Sequence, residues 1–191
     1  MLLALIMLVV ITAVPAAAYR YDRQAAADYA FNNAKNNVPW SWFFSSHGGD
    51  CTNFASHSLQ AGGWRETGKY YYWRDSSWYC DWCNNPVGYS RTWGAAHNFY
   101  YFLTCSGRAY PVAISKKMSL EKGDIVQIDY GRNNNWDHTM VVTGKTNNDL
   151  LMSYHSIGDP RKTGVRNRPL QKIINDNSGA RFLGWHIRDN Y

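Results

Sequence analysis

The chain has 191 residues, with 20 Lys or Arg against 14 Asp or Glu and a formal net charge of +6. This length allows one domain with a buried core, and a basic surface favours anionic partners such as bacterial wall polymers. The basic residues are scattered, which argues against a nucleic-acid-binding segment. We expect a monomer with no second domain, no cofactor and no metal site.

An apolar stretch of about thirteen residues, Leu2 to Val14, is followed by the small residues Pro15 to Ala18. The stretch is too short to cross a bilayer and is typical of a secretory signal peptide. We therefore expect residues 1–18 to be cleaved. Residues 19–191 would then form a single domain that is secreted or wall-associated, without stable membrane insertion. A retained membrane anchor is the alternative interpretation.

Two helices are predicted in the first third of the chain. Apolar residues recur at helical spacing between Arg23 and Lys35, with Asp22 as the N-cap. A loop rich in Asn, Trp, Ser and Gly covers residues 36–49. The second helix is predicted from Cys51 to about Ala61, with Asp50 as its N-cap.

An aromatic insertion covers residues 64–90 and precedes a third helix, predicted from Trp93 to Thr104. Aromatic side chains carry large apolar areas, so part of this segment must belong to the core. Its densest part, residues 70–82, is flanked by polar residues. Two interpretations remain open: core packing alone, or a wall of a binding groove.

The second half of the chain reads as strands, because short runs of alternating apolar residues are separated by polar turns. Residues 146–149 form one such turn. Helices followed by an antiparallel sheet predict an α+β domain with N-terminal helices packed on the sheet. The predicted strands are Asp124 to Tyr130, Trp136 to Gly144, Leu150 to Ser156 and Arg181 to Arg188.

Cys51 is the strongest candidate for chemistry, because it stands where a glycine-rich loop turns into a helix. The unpaired N–H groups and the dipole of a helix N-terminus favour a thiolate and lower the pKa of a thiol. A cysteine nucleophile needs a base beside it, usually an imidazole.

His138 is the preferred base, because it opens a strong β run and can face a helix N-terminus packed on the sheet. If the two strands pair around residues 145–148, His155 lies opposite His138 on the same face and can fix its tautomer. The result would be a triad of nucleophile, base and orienting residue. His47, His57 and His97 are weaker candidates.

The oxyanion of the reaction would be held by the backbone N–H of Cys51 and one further donor. That donor would come from residues 45–49 or from Asn53, although Asn53 is better suited to locking the helix start, and Asp50 to capping it. If Cys51 is a free nucleophile, the other cysteines allow one disulfide. Either Cys80 and Cys83 bridge to each other, or one of them bridges to Cys105.

Six stretches of the chain match a known pattern. They are Tyr21 to Ala30, Gly49-Asp50-Cys51-Thr52-Asn53-Phe54-Ala55-Ser56, Ala61-Gly62-Gly63, Ser90-Arg91-Thr92-Trp93, Trp136-Asp137-His138-Thr139-Met140-Val141-Val142-Thr143 and Ser153-Tyr154-His155. Together they resemble the bacterial family called the putative amidase domain, which is similar to CHAP and NlpC-type amidases of the papain-like superfamily.

The resemblance covers nearly the whole of residues 19–191 and implies a papain-like fold. It also implies Cys51 as nucleophile, His138 as base and His155 as the third polar residue. The chain departs from the pattern at Lys122, where a proline is usual, at His57, where a glutamine is usual, and within residues 70–83.

The sequence therefore predicts a secreted cysteine amidohydrolase that cleaves amide bonds in peptidoglycan peptides through a thioester on Cys51. A second hypothesis is a non-catalytic wall-binding or toxin-like module, in which the aromatic segment binds and Cys51 is merely buried. A third is a structural protein stabilised by disulfides.

Overall fold

A computed structural model describes residues 20–81 and 88–190. The predicted signal peptide and Cys83 lie outside these ranges. The helices of the first half are α1 (Arg23–Asn33), α2 (Ser41–Ser46), α3 (Cys51–Ala61), α4 (Arg91–Gly94) and α5 (Ala96–Cys105). The second half contains β1 (Ala109–Ala113), a 3-10 helix (Ile114–Ser119), β2 (Ile125–Asp129), β3 (His138–Lys145), β4 (Leu150–Tyr154), α6 (Pro160–Thr163), β5 (Val165–Pro169), α7 (Leu170–Asp176) and β6 (Arg181–Ile187).

These strands form one antiparallel sheet in the order β1-β6-β2-β3-β4-β5. The prediction of an α+β domain with helices first and an antiparallel sheet later is confirmed. The two strands that the sequence analysis missed, β1 and β5, are the two edge strands, and each contains a proline. A proline lacks the N–H that a central strand needs, but an edge strand tolerates it.

Both faces of the sheet are covered, and the two faces differ in what packs on them. On one face, which we call the helical face, Phe54, Leu59 and Phe102 from α3 and α5 pack against Val141 and Trp185. On the other, which we call the outer face, Leu170 and Ile173 of α7 pack with side chains of β2, β3 and β4. Since β3 lies near the centre of the sheet, its residues are buried from His138 through Gly144.

The helices largely follow the sequence prediction. The Asp22 side chain accepts a hydrogen bond from the Ala25 N–H at 2.9 Å and caps α1, as predicted. The predicted third helix is instead two helices, divided at Ala95, which has an extended backbone. Phe44 packs so closely on Gly94 that a Cβ at this position would collide with its ring.

The aromatic insertion divides into a buried part and an exposed part. Trp64, Trp78 and Tyr79 are almost fully buried, so they belong to the core on the helical face or lie beside it. Tyr70 and Trp73 are 65% and 73% exposed. Within residues 20–81 and 88–190, no helix is long and apolar enough to cross a membrane.

Candidate active site

Cys51 is the first residue of α3, as predicted, and it lines a groove of about 420 Å³. Gly48 and Gly49 carry the chain into the helix with φ values of 111° and 125°. Glycine is the residue that adopts this conformation without strain, which accounts for the pair at this turn. The Cys51 side chain is only 7% exposed.

Burial raises the pKa of the Cys51 thiol, although the sequence analysis expected the helix N-terminus to lower it. The Thr52 hydroxyl, 3.7 Å from the sulfur, and the N–H groups of Thr139 and Thr52 act in the lowering direction. The Asp50 carboxylate adds to the raising effect. Desolvation is the largest of these causes, so the resting side chain is a thiol rather than a thiolate.

Asp50 stands at the N-cap position of α3, but its side chain does not cap the helix. Its Oδ2 accepts hydrogen bonds from His155 Nδ1 and Ser41 Oγ, both at 2.6 Å. Its Oδ1 accepts one from Asn53 Nδ2 at 2.8 Å. The prediction of a side-chain cap is therefore wrong. Because the carboxylate turns away, Asp50 does not cap the first N–H groups of α3, and the Cys51 N–H can serve an oxyanion.

His155 is completely buried, and both of its ring nitrogens face oxygen acceptors. Nδ1 lies 2.6 Å from the Asp50 carboxylate, and Nε2 lies 3.0 Å from the Asn33 carbonyl oxygen. This buried pair joins the end of α1, the start of α3 and the residue after β4.

Asn53 is fully committed to the same network. Its Nδ2 donates to the Pro39 carbonyl oxygen at 2.9 Å as well as to Asp50, and its Oδ1 accepts from Trp93 Nε1 at 2.8 Å. Both ends of the amide are thus engaged in holding the start of α3. Asn53 is a supporting residue, and the possibility that it donates to the oxyanion is not supported.

The expected pairing of His138 with His155 is wrong by one residue. Val141 pairs with Ser153 and Val142 with Met152, so continuing this register places His138 opposite residue 156. Side chains alternate between the faces of a strand, and a shift of one residue moves a side chain to the other face. His155 therefore lies with Asp50 on the helical face, and His138 belongs to the outer face.

His138 lines a second cavity, of about 340 Å³, together with Tyr130, Tyr154 and Arg168. Its ring packs edge-on against Tyr154 at a centroid distance of 4.9 Å. The buried Nε2 has no hydrogen-bond partner in the part of the chain that the structure describes. Burial lowers the pKa of His138 to about 4, so the imidazole is neutral near pH 7 and can accept a proton.

Cys51 contacts the backbone at the start of β3, although the His138 side chain lines the other cavity. The N–H of Thr139, the residue after His138, is directed at the Cys51 sulfur. The pKa of Tyr130 is raised to about 12, first by burial and then by its neighbours Tyr154 and Cys51. The Tyr130 and His138 rings are 6.5 Å apart. Among the described residues, no hydrogen bond joins Cys51 to His138.

Two histidines that the sequence analysis ranked lower also line the Cys51 groove. His97 accepts a hydrogen bond at Nδ1 from the Trp136 N–H at 3.3 Å, which leaves the proton on Nε2. His47 stacks on Phe43 at 4.2 Å. His47 precedes Cys51 by four residues, whereas no sequence signal placed His97 beside Cys51, because α5 is more than forty residues away along the chain. No sequence signal placed Tyr130, Tyr154 and Arg168 around His138 either.

Cys105 is exposed and unpaired, so a bridge from Cys80 or Cys83 to Cys105 is not supported. A bridge between Cys80 and Cys83 falls outside the described residues. Residues 20–81 and 88–190 contain no group of three or more His, Cys, Asp or Glu side chains arranged to hold a metal ion.

The sequence model of the family described as "Putative amidase domain" matches residues 20–184. The chain is also 28% identical over 136 residues to the uncharacterized protein YhbB of Bacillus subtilis (strain 168), covering 70% of the chain and 40% of YhbB. It is 28% identical over 172 residues to the uncharacterized protein YjcM of the same strain, covering 85% of the chain and 36% of YjcM. The chain thus spans about two fifths of the length of these relatives. No solved structure matches at a significant level.

Proposed function

We propose that this chain, which belongs to the putative amidase domain family, hydrolyses amide bonds with Cys51 as its nucleophile. One observation carries the proposal. A cysteine at an uncapped helix N-terminus lines a groove, beside a strand that begins with a histidine whose buried nitrogen has no partner in the described residues. Asp50, Asn53 and His155 are hydrogen-bonded through their side chains, whereas an unsatisfied buried nitrogen is costly enough to call for a reason.

The chemistry starts from a neutral thiol and a neutral imidazole. In the resting structure the His138 imidazole lines the neighbouring cavity, so the proposed mechanism requires it to turn into the Cys51 groove when substrate binds. There it takes the proton of Cys51 as the sulfur attacks the carbonyl carbon of the substrate amide. The resulting oxyanion accepts hydrogen bonds from N–H groups at the start of α3. His138 then gives the proton to the leaving amine, which departs and leaves a thioester on Cys51.

Water completes the cycle. His138 accepts a proton from a water molecule as its oxygen attacks the thioester carbonyl carbon, and returns that proton to the departing Cys51 sulfur. The carboxylic acid product is released and the thiol is restored. In this scheme His155 is a positioning residue, since it holds Asp50 and the start of α3 and makes no contact with the reacting atoms.

We further propose that the protein has a papain-like fold of the CHAP and NlpC type and acts outside the cell on peptidoglycan peptides. The apolar residues 2–14 are typical of a signal peptide, and a net charge of +6 suits an anionic wall. The raised pKa of the Cys51 thiol supports the competing function, a wall-binding module without catalysis.

The test is to incubate purified wall material with the wild type, with Cys51→Ala and with Cys105→Ala as a matched cysteine control. Released fragments are identified by mass spectrometry. We expect the wild type and Cys105→Ala to release fragments that differ from the substrate by one water across an amide, and Cys51→Ala to release none. Equal release by wild type and Cys51→Ala would rule out the cysteine mechanism. Binding without release by the wild type would favour the non-catalytic module.

A further inference from the structure

A continuous row of aromatic rings lies beside the Cys51 groove and has an exposed tryptophan at each end. Consecutive ring centroids in this row are 4.6 to 6.0 Å apart. Trp42 and Trp73 at the two ends are 69% and 73% exposed. We call this row the aromatic ridge; its members, in order, are Trp42, Phe43, Tyr89, Tyr72 and Trp73.

The ridge adjoins the groove at two points. His47, which lines the groove, stacks on Phe43 at 4.2 Å. Arg91, which also lines the groove, places its guanidinium 5.4 Å from the centre of the Trp73 ring. The Arg91 N–H donates to the Tyr72 carbonyl oxygen at 3.2 Å, which fixes the ridge relative to α4. A molecule that occupies the groove is therefore within reach of the ridge.

Core packing explains the inner rings of the ridge but not the terminal ones. Phe43 and Tyr89 pack against the core on the helical face. Trp42 and Trp73 leave most of their surface in water, which costs free energy unless a partner covers it. Large exposed aromatic rings in a row are a feature of recognition surfaces rather than of cores.

We propose that the aromatic ridge binds the sugar rings of the polysaccharide that carries the amide substrate. This inference rests on the proposed function at Cys51 and adds to it the class of polymer that the protein binds. A pyranose ring has an apolar face of C–H groups that packs flat on an aromatic ring, while its hydroxyl groups remain at the edge for hydrogen bonds. Arg91 at the groove, and Arg74 stacked 3.8 Å from the Tyr71 ring, supply donors and positive charge for an anionic polymer.

The ridge suits a sugar polymer better than a lipid surface. A membrane-binding face presents contiguous aliphatic and aromatic side chains. Here the two exposed tryptophans are separated by half-buried rings, and arginines stand beside the exposed rings. The exposed tryptophans at the two ends of the ridge can each pack against one sugar ring of an extended chain.

Binding is measured on the Cys51→Ala protein, so that the result does not depend on hydrolysis. The probe is insoluble wall glycan stripped of its peptides, with anionic phospholipid vesicles as the comparison. The variants are Trp42→Ala, Trp73→Ala and Trp73→Phe, with Tyr110→Ala, an exposed aromatic outside the ridge, as the control. The altered side chains are exposed, and circular dichroism verifies that each variant folds.

We expect each tryptophan-to-alanine change to weaken glycan binding roughly three- to tenfold, since a stacked aromatic pair contributes about that much. Trp73→Phe should retain most of the binding, and Tyr110→Ala should retain all of it. Unchanged glycan binding in both alanine variants, or binding to vesicles but not to glycan, would overturn the inference.

The catalytic proposal is tested separately in the same series. With the Cys51 side chain intact, Trp73→Ala should raise the KM for whole wall material and leave kcat unchanged. Hydrolysis of soluble wall peptides without sugars should be unaffected. A protein that binds glycan through the tryptophans but hydrolyses neither substrate would contradict the proposed function. It would leave the proposal for the aromatic ridge intact.

Discussion

His138 at the start of β3 and His155 just after the end of β4 lie seventeen residues apart in the chain, yet their surroundings are opposite. His155 is buried with a partner at each nitrogen, in a network that holds the start of α3. His138 is buried beside a cavity, and its Nε2 has no partner among the described residues. A satisfied histidine fixes structure, whereas an unsatisfied one is free to exchange a proton, so the contrast separates support from chemistry.

The largest effect on stability is expected from Asp50→Asn. Both carboxylate oxygens of Asp50 accept hydrogen bonds from buried groups, so the new amide N–H2 faces a donor and two buried groups lose an acceptor. Each buried polar group left unsatisfied costs about 1–3 kcal/mol. Urea denaturation should therefore show a large loss in the free energy of unfolding. The matched control is Asp28→Asn, whose exposed carboxylate accepts from Gln24; it should change stability by less than about 0.5 kcal/mol. A small effect of Asp50→Asn would mean that the pair does not support α3.

A somewhat smaller effect on the free energy of unfolding is expected when His138 becomes protonated at acidic pH. Its pKa falls from 6.5 to about 4 on folding, so between these values the unfolded chain binds the proton more tightly. The contribution of the neutral His138 to the free energy of unfolding is complete above pH 6.5. It is lost as the pH falls towards 4, and the loss amounts to about 3 kcal/mol.

The measurement is the free energy of unfolding of wild type and His138→Gln from pH 7 to pH 4. Because both proteins share all other titrating groups, the difference between their free energies of unfolding isolates the contribution of His138. The wild type should lose about 3 kcal/mol more than the variant across this range. Parallel curves would show that His138 is not desolvated in the folded protein.

The smallest effect is expected in the rate at which Cys51 reacts with a thiol reagent, because this rate reports whether the side chain is a thiol or a thiolate. Its raised pKa and its burial predict that iodoacetamide labels it at pH 7 more slowly than the exposed Cys105. The labelled peptides are separated and quantified by mass spectrometry. Labelling of Cys51 that is faster than that of Cys105 and constant above pH 6 would indicate a preformed thiolate and contradict the neutral pair.

Most of the fold could be predicted from the sequence, and the misses have local causes. Alternating apolar residues identified the central strands, and the alanine-rich stretch identified α1. The edge strands β1 and β5 were missed because Pro111 and Pro169 read as breaks. The division between α4 and α5 depends on Phe44 packing on Gly94, a contact between distant residues that no local pattern contains.

The positions of the candidate residues in their helix and strand were predictable from the sequence, but their partners were not. The position of Cys51 at the start of α3 follows from the local sequence, as does His138 at the start of β3. The Asp50–His155 pair was missed because the strand register was placed one residue away, and that shift exchanges the faces of a strand. The raised pKa of Cys51 was missed because burial depends on how the helix packs on the sheet.

The most direct test of the account compares His138→Gln with His155→Gln in two readouts, kcat/KM on wall material and the unfolding temperature. We predict that His138→Gln lowers kcat/KM by about 10²–10⁴-fold, the share of a general base, and leaves the unfolding temperature nearly unchanged at pH 7. We predict that His155→Gln lowers the unfolding temperature strongly and keeps kcat/KM per folded molecule within about tenfold. The reverse pattern, a stable but inactive His155→Gln and an active His138→Gln, would contradict the account.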